Sequence, residues 1–122
     1  MNSEITIMIV DDSTTMRKIA RHHLTKLGYD KIIEATNGME GLKKLDEGKI
    51  DLIICDWNMP EMNGLQFLHA LREKNKKIPV IMLTTVNTQE EVMAALEAGA
   101  TSYVTKPFSL NDLKDKIEKV IN

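Results

Sequence analysis

The chain of 122 residues alternates five times between a short apolar segment, a turn and a longer amphipathic segment. Several apolar segments are continuous, as in Leu52–Ile54 and Val80–Leu83. Continuous apolar strands are typical of a parallel sheet that is covered on both faces. The five predicted strands are Ile5–Val10, Lys31–Ala35, Asp51–Cys55, Pro79–Thr84 and Thr101–Val104.

Each predicted strand is followed by a segment whose apolar residues have helical spacing. Ser13 or Thr14 can begin the first helix, and Gly28 can end it. Thr88 opens a capping-box pattern at the start of the fourth helix, which stops at Gly99. The predicted helices cover about 14–27, 38–47, 64–74, 88–98 and 109–121.

This alternation predicts an α/β fold, a single doubly wound five-stranded parallel sheet with helices on both faces. Five strands are too few for an eight-stranded barrel. The residues after the first strand, Asp11–Thr15, contain no glycine, so the dinucleotide-binding fingerprint is absent.

Length and composition narrow the classes of protein further. A chain of 122 residues and 13.8 kDa fits one domain. The 16 basic residues against 18 acidic ones give a net charge of -2, so we expect neither nucleic acid nor an anionic membrane as partner. The first residues lack signal-peptide features, and the longest apolar run, Val92–Leu96, is too short to cross a bilayer. A single cysteine favours a reducing compartment, and we expect a cytoplasmic protein.

Polar residues gather where the predicted strands end. Asp11 and Asp12 follow the first strand, Asp56 the third, and Lys106 the fifth, while Thr84 ends the fourth. Parallel strands end at one edge of a sheet, so the aspartates converge if the first and third strands are neighbours. Three close carboxylates repel one another unless a cation such as Mg²⁺ lies between them. A lysine and a hydroxyl beside them make a plausible phosphoryl-transfer site with an aspartate nucleophile.

Each of these residues also has an ordinary structural explanation. Asp11 and Asp12 can cap the first helix or interact with its dipole. Asp56 can be a turn aspartate, and Lys106 can be a solvated loop lysine. Their common location at one sheet edge favours the site over these separate explanations.

Five motif blocks, in order and at the right intervals, resemble a response-regulator receiver domain. The resemblance covers essentially all 122 residues. It implies a flavodoxin-like sheet with strand order 2-1-3-4-5, a single receiver domain over residues 1–122 with no attached output domain, and a monomer. The blocks are Ile9–Ser13, Asp56–Gly64, Leu83–Thr85, Gly99–Ala100 and Tyr103–Phe108.

The resemblance also implies roles for individual residues. Asp56 would accept the phosphoryl group. Asp12, the Asp56 carboxylate and the backbone carbonyl of Asn58 would bind Mg²⁺, and Asp11 would act through a metal-bound water. Lys106 would contact the phosphoryl oxygens.

Two further residues would convert phosphorylation into a conformational switch. Thr84 would move to hydrogen-bond the phosphoryl group, and Tyr103 would swing inward behind it.

The resemblance also implies a signalling switch rather than a classical enzyme, since such a domain catalyses only its own phosphorylation and slow dephosphorylation. The implied phosphoryl donor is a CheA-like histidine kinase, and the implied target is the flagellar motor switch protein in chemotaxis. A phosphatase is a further implied partner.

Three other functions stay open from the residues alone. A phosphotransfer intermediate or phosphate sink would use the same site. A phosphatase of the haloacid dehalogenase type would need Asp-x-Asp after the first strand, where Asp11 and Asp12 are adjacent. A flavodoxin-like electron carrier would need a flavin-phosphate loop, where this chain has acidic residues. Val86 stands where the enteric chemotaxis receiver has an acid, so phosphoryl lifetime can differ.

Four other residues and one peptide bond lead to separate expectations. Cys55 is predicted to be a small buried apolar residue. His22 and His23 are predicted to be solvated or boundary residues rather than metal ligands. Trp57 is next to the implied acceptor Asp56, so its fluorescence is expected to report on the site. Lys106–Pro107 resembles the family's cis peptide.

Overall fold

Strands and helices alternate strictly along the chain, as the apolar pattern predicts. The computed structural model describes residues 4–74, 77–85 and 88–121. Met1, Asn2, Ser3 and Val86, on which sequence expectations rest, lie outside the described residues. The described elements are β1 (Thr6–Val10), α1 (Thr14–Lys26), β2 (Lys31–Ala35), α2 (Gly38–Leu45), β3 (Leu52–Asp56), α3 (Gly64–Glu73), β4 (Val80–Thr84), α4 (Gln89–Glu97), β5 (Ser102–Thr105) and α5 (Leu110–Ile121).

The strands form one parallel sheet in the order β2-β1-β3-β4-β5. The predicted α/β class, the flavodoxin-like order and the five-stranded count are confirmed within the described residues. All five residues of β3 and all five of β4 are buried, which explains their continuous apolar sequences. Because β1 pairs with β2 on one side and β3 on the other, the chain changes direction across the sheet at β1.

Successive side chains of each strand enter two separate cores. Ile7 and Ile9 pack on the face covered by α1 and α5, with Leu24 and Ile117. Met8 packs on the opposite face, among the residues of α2 and α3. This two-residue period lets one strand support both helical layers, so the sheet is a rigid platform for the loops at its ends.

Four of the five strands begin one residue later than predicted, and two of them, β3 and β5, do so for the same physical reason. β3 begins at Leu52 because the Asp51 carboxylate accepts a 2.8 Å hydrogen bond from the backbone N–H of Thr6. β5 begins at Ser102 because the Thr101 hydroxyl accepts from the N–H of Val80 at 3.1 Å. In both places a side-chain oxygen accepts the hydrogen bond that a backbone carbonyl would accept if the strand began earlier.

Helix caps follow the sequence signals closely. Ser13, rather than Thr14, is the N-cap of α1, and its hydroxyl accepts from the N–H of Met16. Thr88 caps α4 as predicted. Gly28, just after α1, has a φ of 99°, a left-handed conformation that favours glycine. The chain therefore turns sharply into β2 where the sequence predicts a stop.

In the part of the chain that the structure describes, no helix is both long and apolar enough to cross a membrane.

Candidate functional site

Three aspartates meet at the carboxyl edge of the central strands. Asp11 directly follows β1 and Asp56 ends β3, and these two strands are paired neighbours. Asp11, Asp12 and Asp56 each offer a carboxylate oxygen, and these oxygens lie within 4.8 Å of one another. Asp11 and Asp56 are buried, whereas Asp12 is exposed. We call these three residues the acid cluster.

Lys106 brings a positive charge into the acid cluster from the segment after β5. Its Nζ donates a 2.7 Å hydrogen bond to Asp56 Oδ1 and lies 3.9 Å from Asp11 Oδ2. The Lys106 side chain is only 16% exposed, so solvent screens this pair weakly. The Lys106–Pro107 peptide bond is cis, as the resemblance implies.

Asp11 has one satisfied and one unsatisfied carboxylate oxygen. Oδ1 accepts a 2.9 Å hydrogen bond from the backbone N–H of Ser13. Oδ2 is buried and has no hydrogen-bond partner among the described residues. Burial raises the pKa of Asp11, and the charges of Asp56 and Asp12 raise it further, against the opposing effects of the Ser13 N–H and Lys106.

The acid cluster has the donor atoms that a hard divalent cation requires. Mg²⁺ binds oxygen ligands and commonly uses one or two carboxylates together with water. A cation in the acid cluster, or a water bound to it, would satisfy the Asp11 oxygen that accepts no hydrogen bond, and the cation would offset the mutual repulsion of the three carboxylates. The residues present therefore fit Mg²⁺.

Thr84 and Tyr103 occupy different depths around the site. Thr84 ends β4 and is buried, and its carbonyl accepts a 2.8 Å hydrogen bond from the N–H of Lys106. Tyr103 lies on β5 and is partly buried, with the Lys116 ammonium 5.5 Å from its ring centroid. The structure thus links Thr84 to the lysine segment, whereas Tyr103 packs against the core on the face of α2 and α3, with Lys116 of α5 near its ring.

The loop after β3 holds the Asp56 backbone tightly. The N–H of Trp57 donates to the carbonyl of Leu83 at 3.0 Å, and the carbonyl of Trp57 accepts from the N–H of Gly64 at 2.8 Å. Trp57 is half-buried next to Asp56, whereas Asn58 is exposed. A Cβ at Gly64 would lie 2.5 Å from the carbonyl oxygen of Asp56, so only glycine fits this approach.

Two other sequence interpretations are confirmed. Cys55 is fully buried, and burial first, then the Asp56 and Asp11 charges, raise the pKa of its thiol well above the ordinary value. His22 is exposed and His23 is partly buried, which are the boundary positions expected of them.

One contact to the site is not among the sequence predictions. Arg17 on α1 donates from Nη1 to the backbone carbonyl of Asp11 at 2.7 Å, and from Nε to Glu34 on β2. The available signal is Glu34 itself, an acid between the apolar residues Ile33 and Ala35 of β2. A charged residue in such a strand requires a partner, and that requirement points to a basic residue on the covering helix.

Comparisons with known proteins agree with this architecture. A model of the response regulator receiver domain family matches residues 7–118. The chain is 46% identical over 118 residues to chemotaxis protein CheY1 of Helicobacter pylori, covering 94% of this chain and 95% of that protein. It is 43% identical over 118 residues to a chemotaxis protein CheY homolog of Campylobacter jejuni, covering 94% and 91% of the two chains.

Solved structures give the same result. Chemotaxis protein CheY4 of Vibrio cholerae is similar with a TM-score of 0.89 at 35% identity, over 95% of this chain and 98% of that one. A CheX-CheY-BeF3-Mg²⁺ complex from Borrelia burgdorferi contains a chain that is similar with a TM-score of 0.92 at 28% identity, covering 97% and 90%. The chain therefore belongs to the response regulator receiver domain family and is a CheY-like member of it. Members of this family are signalling switches rather than classical enzymes, and the similarity is to the chemotaxis type.

Proposed function

We propose that Asp56 accepts a phosphoryl group from a CheA-like histidine kinase and that the chain thereby switches its partner-binding surface. The observation that carries the proposal is the 2.7 Å hydrogen bond from Lys106 Nζ to Asp56 Oδ1 inside the acid cluster. A buried carboxylate with a fixed ammonium on one oxygen and further carboxylates nearby is suited to phosphoryl transfer, since that chemistry depends on positioning and charge compensation.

In the proposed reaction an Asp56 carboxylate oxygen attacks the phosphorus atom of the donor. The new O–P bond forms as the bond from phosphorus to the donor's leaving atom breaks, and that atom leaves with the electron pair. Lys106 contacts the phosphoryl oxygens from its position on Asp56. The hydroxyl of Thr84, at the end of the neighbouring strand β4, donates to the transferred group.

The residues that would hold Mg²⁺ are Asp12, Asp56 and the Asn58 carbonyl, with Asp11 acting through a bound water. When bound, Mg²⁺ supplies positive charge that offsets repulsion between the carboxylate and the incoming phosphoryl group. The Oδ2 of Asp11, which accepts no hydrogen bond and has Lys106 Nζ at 3.9 Å, supports this assignment, because a water or cation there would satisfy a buried acceptor.

The proposed output surface consists of α4, β5 and α5, and its proposed target is the flagellar motor switch protein. Met93 and Leu96 on α4 are large apolar side chains with 49% and 44% of their surface exposed, so this side offers apolar contact area. Tyr103 lies on the same surface and would move inward when Thr84 turns to the phosphoryl group. The proposed protein is a monomeric receiver domain that covers residues 1–122 and acts in the cytoplasm. A phosphatase is its proposed further partner and ends the signal.

Intact-mass measurement after incubation with Mg²⁺ and acetyl phosphate tests the proposal. We expect one added phosphoryl group on the wild type, none on Asp56→Asn, and suppression by a chelator. Asp30→Asn is the matched control, because Asp30 is also an aspartate but is exposed outside the acid cluster. An unmodified wild-type mass under conditions that label a control receiver would overturn the assignment.

A further inference from the structure

Arg17 is a largely buried arginine that connects the acid cluster to the edge of the sheet. Its side chain is only 12% exposed. Nη1 donates to the Asp11 carbonyl at 2.7 Å, Nε donates to Glu34 Oε1 at 3.0 Å, and Nη2 donates to the Thr14 hydroxyl at 3.2 Å. Each nitrogen of the guanidinium therefore has a different partner, and one partner is the backbone of the acid cluster.

The Asp11 backbone is held from two sides. Its N–H donates to the Ala35 carbonyl at 3.1 Å, which continues the ladder between β1 and β2. Its carbonyl accepts from Arg17, and hydrogen bonds from charged donors are stronger than those between neutral groups. Since Asp12 is the next residue, the same contact orients the peptide that leads into the exposed member of the acid cluster.

Glu34 keeps Arg17 in this orientation. Burial alone would raise the pKa of Glu34, but hydrogen bonds and charge from Arg21 and Arg17 outweigh burial and leave that pKa lowered. Glu34 is therefore ionised at neutral pH. Its position on β2, the edge strand next to β1, fixes the guanidinium against the end of β1.

Arg21 is a matched comparison within the same network. Its Nε donates to Glu34 Oε2 at 2.7 Å, so it binds the same carboxylate as Arg17. Its Nη2 donates to the Ile32 carbonyl, and its side chain is 43% exposed. Arg21 thus shares the ion pair with Glu34, but its backbone contact is to β2, whereas that of Arg17 is to the acid cluster.

We propose that Arg17 is a positioning residue that sets the Asp11–Asp12 backbone for binding of a divalent cation, with Glu34 as its anchor. The inference rests on the proposed function in one respect, namely that the acid cluster binds Mg²⁺. Groups that orient metal ligands without touching the metal commonly change metal affinity by about 10- to 100-fold when they are removed.

The test is calorimetric titration of Mg²⁺ alone, without phosphodonor, into wild type, Arg17→Gln and Arg21→Gln. We expect the dissociation constant to rise about 10-fold in Arg17→Gln and to change less than about 2-fold in Arg21→Gln. Urea unfolding of all three proteins checks that each is folded at the titration temperature. Loss of stability alone would affect both variants, whereas loss of affinity is expected only in the first.

Two further variants keep the proposal testable if Arg17→Gln does not fold. Arg17→Lys retains a charged donor and should bind Mg²⁺ more tightly than Arg17→Gln but less tightly than wild type. Glu34→Gln keeps an acceptor for Arg17 but removes the ion pair, and should show a smaller loss than Arg17→Gln.

The possible results separate this inference from the proposed function. Wild-type affinity in Arg17→Gln, or equal losses in the Arg17 and Arg21 variants, would overturn the positioning role while leaving Asp56 as acceptor. Absence of Mg²⁺ binding by the wild type would overturn both.

Discussion

The Lys106 ammonium and the Asp56 carboxylate, 50 residues apart in the chain, form a 2.7 Å hydrogen bond at the carboxyl edge of the sheet. The contact joins the segment after β5 to the end of β3, across the intervening strand β4. The negative charge of Asp56 is therefore compensated by a lysine that directly follows β5, the last strand in the chain.

Replacing Lys106 should destabilise the protein when no cation is present. Lys106→Gln leaves Asp56 without its charged donor, and such losses cost about 1–3 kcal/mol. We expect Mg²⁺ to recover part of that loss, because it would compensate the same carboxylate. Urea unfolding with and without Mg²⁺ measures both effects. Lys114→Gln, at an exposed position on α5, is the control; equal midpoints for the two variants would contradict the prediction.

Mg²⁺ should stabilise the wild-type fold by mass action. At 100 times its dissociation constant, a ligand that binds only the folded state adds about 2.7 kcal/mol. Asp12→Asn removes one charge from the acid cluster at an exposed position, so its metal-free stability should be equal to or above that of wild type. Its gain on adding Mg²⁺ should be much smaller, and thermal unfolding across a Mg²⁺ series measures the difference. A full Mg²⁺ gain in this variant would exclude Asp12 as a ligand.

Gly64→Ala should disturb the site through its backbone. The added methyl group would lie 2.5 Å from the Asp56 carbonyl oxygen and 3.0 Å from the Trp57 Cα. Overpacking of this kind costs about 1–3 kcal/mol, measurable by urea unfolding. Gly48→Ala is the matched substitution, because a Cβ at Gly48 would meet no described atom within 4 Å. Similar stability of both variants would show that the loop relaxes freely.

His23 should make the protein less stable as the pH falls below neutrality. Burial, assisted by the charges of His22 and Lys26, lowers the pKa of His23 from its ordinary value of 6.5. The unfolded chain then binds the proton first. The neutral imidazole therefore contributes stability that is complete above pH 6.5 and is lost as the pH falls through the folded-state pKa.

Unfolding measurements between pH 7.5 and pH 5 test the His23 prediction. His23→Gln should lose less stability over this interval than wild type. His69→Gln, at an exposed position on α3, should follow the wild-type curve. An NMR titration midpoint for His23 at or above 6.5 would refute the expected shift.

Cys55 should be unreactive in the folded protein. Its thiol is fully buried, donates to the Asp56 carbonyl at 3.3 Å, and has a pKa raised well above the ordinary value by burial and neighbouring carboxylates. A thiol reagent should modify it only as fast as the protein unfolds, and at once in denaturant. Rapid labelling of the native protein would indicate local opening at the end of β3.

The strands and the fold class can be predicted from the apolar pattern because the apolar runs are short and uninterrupted. Leu52–Ile54 and Val80–Leu83 predict strands buried on both faces, and the ends of parallel strands necessarily share an edge. The amino-acid pattern alone therefore groups Asp11, Asp56 and Lys106 at one edge of the sheet. The strand order does not follow in this way, since alternation is compatible with several orders; only the resemblance to the receiver family implies it.

Other features depend on three-dimensional register. Asp51 looks like the first residue of β3, but its side chain accepts from Thr6 in the neighbouring strand, 45 residues away. The contact between Arg17 and Glu34 likewise requires the pairing of β1 with β2 and the seating of α1. A local pattern can indicate that Glu34 needs a basic partner, but it does not identify which distant residue supplies it.

The aspartates of the acid cluster precede Lys106 in the chain, and this order has a consequence during synthesis. A chain growing on the ribosome contains all three aspartates well before Lys106 has been added, and domains are made from the N-terminal end. Until β5 pairs with β4, Asp56 lacks the ammonium that the finished protein places on it. On the proposed function, we expect unfinished chains not to accept a phosphoryl group, so that phosphorylation would require completed folding.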